Sequence, residues 1–173
     1  MPLFSLTQFF SAMPQGMRVI GLDPGTKRIG VALSDVNRQI ASPYTTLHRG
    51  RLHRNAAEIK AIADEEGAAG LIIGLPLGPD GKFVPAAQSA RDWAHAISTA
   101  TGLPATMHDE TYTTSTVLSH MLAANLSRAS RSDMADRLAA AQILQEALDL
   151  SKQGKGGAAP LDPPLGPKGP RTQ

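Results

Sequence analysis

The run AGLIIGLP (69–76) constrains the fold more than any other stretch of the chain. It is continuously apolar, so neither of its faces suits water, and it is far too short to cross a bilayer. A central parallel strand roofed by helices on both sides satisfies it. The flanking sequence supplies those helices. From about Leu52 to Glu66, apolar side chains recur at helical spacing (Leu52, Ala56, Ile59, Ala63), and Gly67 and Gly70 end the pattern. Beyond the run, a Gly/Pro-rich loop, LGPDGKFVP, leads to a helix from about Ala86 to Ala100. LPATMHDE (103–110) reads as a further strand. Thr113, Thr114 and Ser115 offer N-caps for a helix through about Ala124, residues 125–131 form a polar connection, and Ser132 caps a last helix to about Leu150.

Upstream, RVIGLD (18–23), IGVALSD (29–35) and RQIASPYTTL (38–47) are short strands separated by tight turns, which predicts an antiparallel meander. The fold class is therefore α/β: a five-stranded mixed sheet, three meander strands plus two parallel strands, with helices on both faces. One domain over residues 17–150 accommodates it, and 173 residues leave no room for a second of similar size. Residues 1–16 form an N-terminal extension, either a short helix around Leu6 to Met13 packed on the body or a disordered leader. No basic n-region or cleavage site marks it as a signal peptide. Residues 151–173, with five Pro and five Gly, predict a flexible basic tail. The chain carries +2 overall, but the tail alone accounts for +3 and the remainder for −1, so a nucleic-acid footprint has to be local. Cysteine is absent, which excludes disulfides, thiolate nucleophiles and cysteine-based zinc sites. The five histidines are scattered and form no metal-binding pair.

Acidic residues fall where such a sheet collects ligands, beyond the carboxyl ends of its parallel strands. Asp23 closes the first strand. Asp109 and Glu110 close the last, and because side chains alternate only one of them can meet Asp23. In the final helix Asp136 shares a face with Ala139, Ala140, Ile143 and Ala147, so it begins the stripe that presses on the sheet. A carboxylate there is costly without a positive partner. Two plain readings stay open: Asp136 complements the helix dipole from a first turn, or it pairs with Arg137. Oxygen donors unsupported by histidine or cysteine suit hard cations such as Mg²⁺ or Mn²⁺.

GLDPGTKRIGVALSD (21–35), IIGLPLGPDG (72–81), LPATMHDETYTT (103–114) and DRLAAAQILQEALD (136–149) together resemble the YqgF family. These bacterial proteins are described as Holliday junction resolvases or as nucleases that mature precursor small-subunit ribosomal RNA. The resemblance covers about residues 17 to 150 in unbroken order. It implies a ribonuclease H-like fold, cytoplasmic location and hydrolysis of phosphodiester bonds with a divalent metal. Carried over residue by residue, the catalytic and metal-holding acids fall on Asp23, Glu110 and Asp136. The implied substrate is precursor 16S rRNA, processed at its 5′ end within ribosomal precursor particles, with branched DNA as the alternative. Two departures stand out: the family's Arg after the Glu is Thr111 here, and Gly78 and Pro79 replace two usual residues of the glycine loop.

Basic residues add a second layer. Lys27 and Arg28, in the turn after Asp23, either grip a phosphate or are solvated turn charges. Arg49, Arg51, His53, Arg54 and Lys60 form the densest basic cluster, read as a nucleic-acid track centred on Arg51 and Arg54 or as exposed helix bases. Lys82 is a further candidate substrate contact. Trp93 reads as core. His108 reads as a proton relay or an ordinary strand histidine, and Asp35 as a turn residue. Two rival functions are weighed. An actin-like ATP phosphotransferase shares the DPGTKRIGVA pattern, but one domain without a second phosphate loop cannot enclose the nucleotide. A non-catalytic RNA-binding ribosome-assembly factor is the other, prompted by Thr111.

Overall fold

The computed structural model of the protein describes residues 3–75, 85–109 and 128–152, with side chains at all of these except 109 and 128–132. β1 (Arg18–Pro24), β2 (Arg28–Ser34) and β3 (Ala41–His48) pair antiparallel in succession, while β4 (Ala68–Leu75) and β5 (Ala105–Asp109) extend the other side of β1 in parallel. The order β3-β2-β1-β4-β5 is the five-stranded mixed sheet expected from the sequence, a three-strand meander extended by two parallel strands. α2 (Leu52–Glu66) and α3 (Pro85–Thr101) cover one face. α1 (Leu6–Ala12) and α4 (Arg128–Lys152) cover the other. Among the described residues no helix is long and apolar enough to cross a membrane. The helix anticipated from Thr113 lies outside the described residues.

Local signals explain the boundaries. Gly67 adopts the left-handed conformation (φ 68°) and returns its N–H to the Ala63 carbonyl, which stops α2 where expected. Ser5 and Gln8 form a reciprocal capping box that starts α1. Phe9 of that helix is fully buried, and Phe4 ahead of it donates its N–H to the Ala105 carbonyl (2.9 Å) while accepting from Thr106 Oγ1 (2.8 Å). The segment before the domain thus lies along β5. α4 departs from expectation: it begins at Arg128 rather than behind a cap at Ser132. No proline or glycine lies between 128 and 136, so the helix runs through the serine.

Strand alternation sorts the side chains into two unlike layers. Ile20, Leu22, Ile29, Val31, Leu71, Ile73 and Leu75 join Ile59 of α2 and Trp93 and Ile97 of α3 in one core. On the opposite face the strands present Gly21, Gly30, Ala32 and Gly70 between Val19 and Ile72. There the helices come very close. A Cβ added at Gly21 would lie 2.7 Å from Leu144 Cβ, one at Gly70 would lie 2.6 Å from the Phe9 ring, and one at Gly30 would lie 1.9 Å from the Asp136 carbonyl oxygen.

Candidate active site

Asp23 is the penultimate residue of β1, half-buried, and its partner across the antiparallel pair is Gly30 of β2. Directly opposed residues share a face, as do residues two apart on one strand, so Asp23 faces the α4 layer with Gly21 and Gly30. The backbone of Asp136 rests on Gly30. The spatial neighbour that matters for Asp136 is thus Gly30, a glycine without which its helix could not descend onto the strand beside Asp23.

The Asp136 carboxylate finds its positive partner in Arg28, whose Nε donates to Oδ2 at 2.8 Å; the two side chains are 40% and 27% exposed. Both plain alternatives for Asp136 fail on geometry. Asp136 lies about two turns inside α4, beyond the reach of a first-turn dipole effect. Arg137 donates instead to Asp133, at 2.6 Å. Asp23 therefore shares one end of one sheet face with the Arg28–Asp136 pair. Glu110, Thr111 and Lys82 lie outside the described residues. Among the described residues, no three carboxylate or histidine side chains gather closely enough to hold a metal ion by themselves. What is present fits such an ion in kind, with oxygen donors and a glycine cradle that admits the second donor.

The remaining candidates divide. His108 Nε2 lies 3.0 Å from Glu146 Oε2 of α4, which gives this strand histidine a partner and places it on the α4 face. Trp93 is 9% exposed and belongs to the core. Lys27 is exposed, as are Arg51 and Arg54 at the start of α2, and Arg54 Nε reaches Glu58 at 3.4 Å. Asp35 is a turn residue, accepting from the amides of Gln39 (2.7 Å) and Ile40 (2.9 Å). The Ile40 amide, with that of Gln39 behind it, holds the Asp35 carboxyl below its ordinary value against an opposing effect of burial.

Arg49 leaves the basic cluster to which the sequence assigned it. It is half-buried, its guanidinium lies over the Trp93 ring, and it bonds to the turn after Asp23. Asn55, fully buried on the inward stripe of α2, brackets Arg49 by bonding to Gly50 and His48. Neither role was anticipated. An asparagine four residues before Ile59, on a stripe that should be apolar, was the available signal.

Comparison with known proteins follows the same lines. The RuvX family, described as Holliday junction resolvase, matches residues 17–150. A protein of Acidiphilium cryptum (strain JF-5) named "putative pre-16S rRNA nuclease" is 53% identical over 150 residues, spanning 87% of this chain and 95% of its own length. A protein of Gluconacetobacter diazotrophicus with the same name is 48% identical over 154 residues, spanning 88% of this chain and all of its own. Among solved structures, T. thermophilus RuvC in complex with Holliday junction substrate aligns over 80% of this chain and 97% of that chain, at 16% identity and a TM-score of 0.48.

Proposed function

The chain belongs to the RuvX, or YqgF, family and is a nuclease that hydrolyses phosphodiester bonds, and from this premise we propose that it trims the 5′ end of precursor 16S rRNA, with Asp23, Glu110 and Asp136 holding Mg²⁺ or Mn²⁺. One observation carries the reading: Asp136 rests on Gly30, the register partner of Asp23. A second carboxylate is thereby brought to the side of the first, and the mutual repulsion of two acids at one sheet end is of the kind that a divalent cation, in addition to Arg28, would offset. A divalent cation in that place supplies Lewis-acid polarisation of the scissile phosphate and of the attacking water.

The protein's own groups do the rest. Arg28 neutralises Asp136 and keeps its carboxylate aimed along the sheet end. Lys27, exposed in the adjoining turn, meets a backbone phosphate. Arg51 and Arg54 extend the electrostatic footprint along the start of α2, and Lys82 extends it from the glycine loop. Such a protein works in the cytoplasm on ribosomal precursor particles.

The test is cleavage of end-labelled precursor 16S rRNA and of four-way DNA junctions, each with Mn²⁺ or EDTA, by the wild-type chain and by Asp23→Asn and Asp136→Asn. Expected is metal-dependent cutting of the RNA, reduced about a hundredfold or more in either variant, a loss of about 2.7 kcal/mol of transition-state stabilisation. Cutting of junctions alone moves the substrate to branched DNA, as the family description favours. Undiminished cutting in EDTA, or by Asp23→Asn, removes the metal reading. RNA binding without any cleavage points to the assembly-factor alternative.

A further inference from the structure

We propose that Arg49 is a positioning residue for this site, clamping the turn between Asp23 and Arg28 to the helical layer behind the sheet, and not a contact to nucleic acid. The inference rests on the site reading above. β1 ends at Pro24 and β2 begins at Arg28, so the three residues between them set where Asp23 and Arg28 stand relative to one another. That turn is closed on itself by the Gly25 N–H donating to the Arg28 carbonyl at 2.8 Å, and a Cβ at Gly25 would sit 2.8 Å from the same oxygen. Arg49 then holds it twice from outside. Its Nη1 donates to the Gly25 carbonyl (2.8 Å), a charge-assisted bond, and its backbone N–H donates to the Lys27 carbonyl (3.0 Å).

The clamp is itself anchored. The guanidinium carbon lies 5.4 Å from the centroid of the Trp93 ring, and that ring is buried in the core under α2 and α3. On either side of Arg49, Asn55 pins the backbone: its Nδ2 donates to the His48 carbonyl (2.9 Å) and its Oδ1 accepts from the Gly50 N–H (2.9 Å). Asn55 is fully buried, so this bracket moves only with α2. A chain of contacts thus runs from the core through Arg49 to the turn, and through Arg28 to Asp136. With its face on an indole and its edge on a carbonyl, the Arg49 guanidinium is committed inward, whereas Arg51 and Arg54 are exposed. Displacement of reacting groups by about 1 Å costs ~100-fold in rate, so a clamp of this kind acts on turnover.

The test compares wild type with Arg49→Lys, Arg49→Ala and Trp93→Leu on whichever of the two labelled substrates wild type cuts in Mn²⁺. kcat should fall about tenfold in Arg49→Lys and further in Arg49→Ala, with KM and the salt slope of binding unchanged. Trp93→Leu should reproduce part of the fall. Hydrogen exchange requires no turnover: the amides at 25–28 should exchange at least about tenfold faster in Arg49→Lys while the core amides of β4 keep their protection. A rise in KM at unchanged kcat, with the salt slope reduced by about one, identifies a phosphate contact and overturns the proposal. So does unchanged kcat with unchanged exchange. Asp23→Asn run alongside separates the two readings: if it cuts like wild type the site assignment fails, whereas if it is inactive and the Arg49 variants are not, only the clamp fails.

Discussion

Toward α2 and α3 the strands send Ile20, Leu22, Ile29, Leu71 and Ile73, whereas toward α1 and α4 they send Gly21, Gly30, Ala32 and Gly70 beside Val19 and Ile72. Both sets are buried, yet they serve different ends. A fully buried aliphatic side chain contributes roughly 1.5–3 kcal/mol, so the first face, which carries more of them, gives the sheet the larger share of its stability. The second face gives up part of that area at its glycines and gains proximity, the helix backbone coming directly onto the strand at Gly30 and Gly21. Asp136 reaches the neighbour of Asp23 on those terms alone. The aliphatic positions of the first face, Trp93 apart, can be repacked without touching the chemistry, and the glycines of the second cannot.

The sharpest way to break this comparison is Gly30→Val. The added Cβ would collide with the Asp136 carbonyl, which belongs to a helix backbone and cannot rotate away. We expect a loss of more than about 4 kcal/mol, or failure to fold, read by thermal or urea unfolding. Should this variant melt within a few degrees of wild type, the close approach is not what seats α4. Gly21→Ala is the milder form: its Cβ would meet Leu144 Cβ at 2.7 Å and the Ala140 carbonyl at 2.9 Å. About 1–3 kcal/mol is expected, typical of overpacking, together with slowed cleavage as α4 is pushed outward. On the aliphatic face Ile73→Val removes one methyl and should cost about 0.5–1.5 kcal/mol with kcat unaltered. If Ile73→Val depresses kcat more than Gly21→Ala does, the division of labour between the faces is wrong.

The smallest effect lies at the far end of β2. Asn at position 35 keeps the acceptor for the Gln39 and Ile40 amides and loses only the charge. Because the Asp35 carboxyl is held below its ordinary value of 3.8, its contribution to stability is fully present above that value and disappears as pH falls through the depressed one. Melting curves of wild type and Asp35→Asn should therefore differ slightly at neutral pH and converge in acid. A gap that widens in acid would contradict the assignment.

How much of this was legible in the sequence depended on whether the signal was local. The 69–76 run and the Leu52, Ala56, Ile59, Ala63 stripe declare a buried strand and a one-sided helix, and β4 and α2 appear within a residue or two of where they should. The inward placement of Asp136 also follows from helical spacing, since its neighbours on that face are buried alanines and isoleucine. Its partner could not be read. Arg28 is 108 positions away, and only the docked helix shows that it outcompetes the adjacent Arg137. Ser132 was a sound cap by type, but capping matters only where the helix has reason to begin, and 128–131 are all acceptable helix formers. Arg49 misled for a related reason: charge density along the chain groups it with Arg51 and Arg54, while the Trp93 ring that removes it from solvent arrives from another helix. Gly21 and Gly30 were visible as motif letters, but their physical role needed α4 in place.

Phe4 gives the fold a peculiarity of timing. A ribosome making this chain releases that segment long before the strand that receives it, at Ala105 and Thr106, has been polymerised. The flank of β5 is thus closed by a piece that has waited through the synthesis of nearly the whole sheet. Until β5 is made, the border of β4 that will receive it stands unpaired, and such an edge is prone to pair with a neighbouring chain.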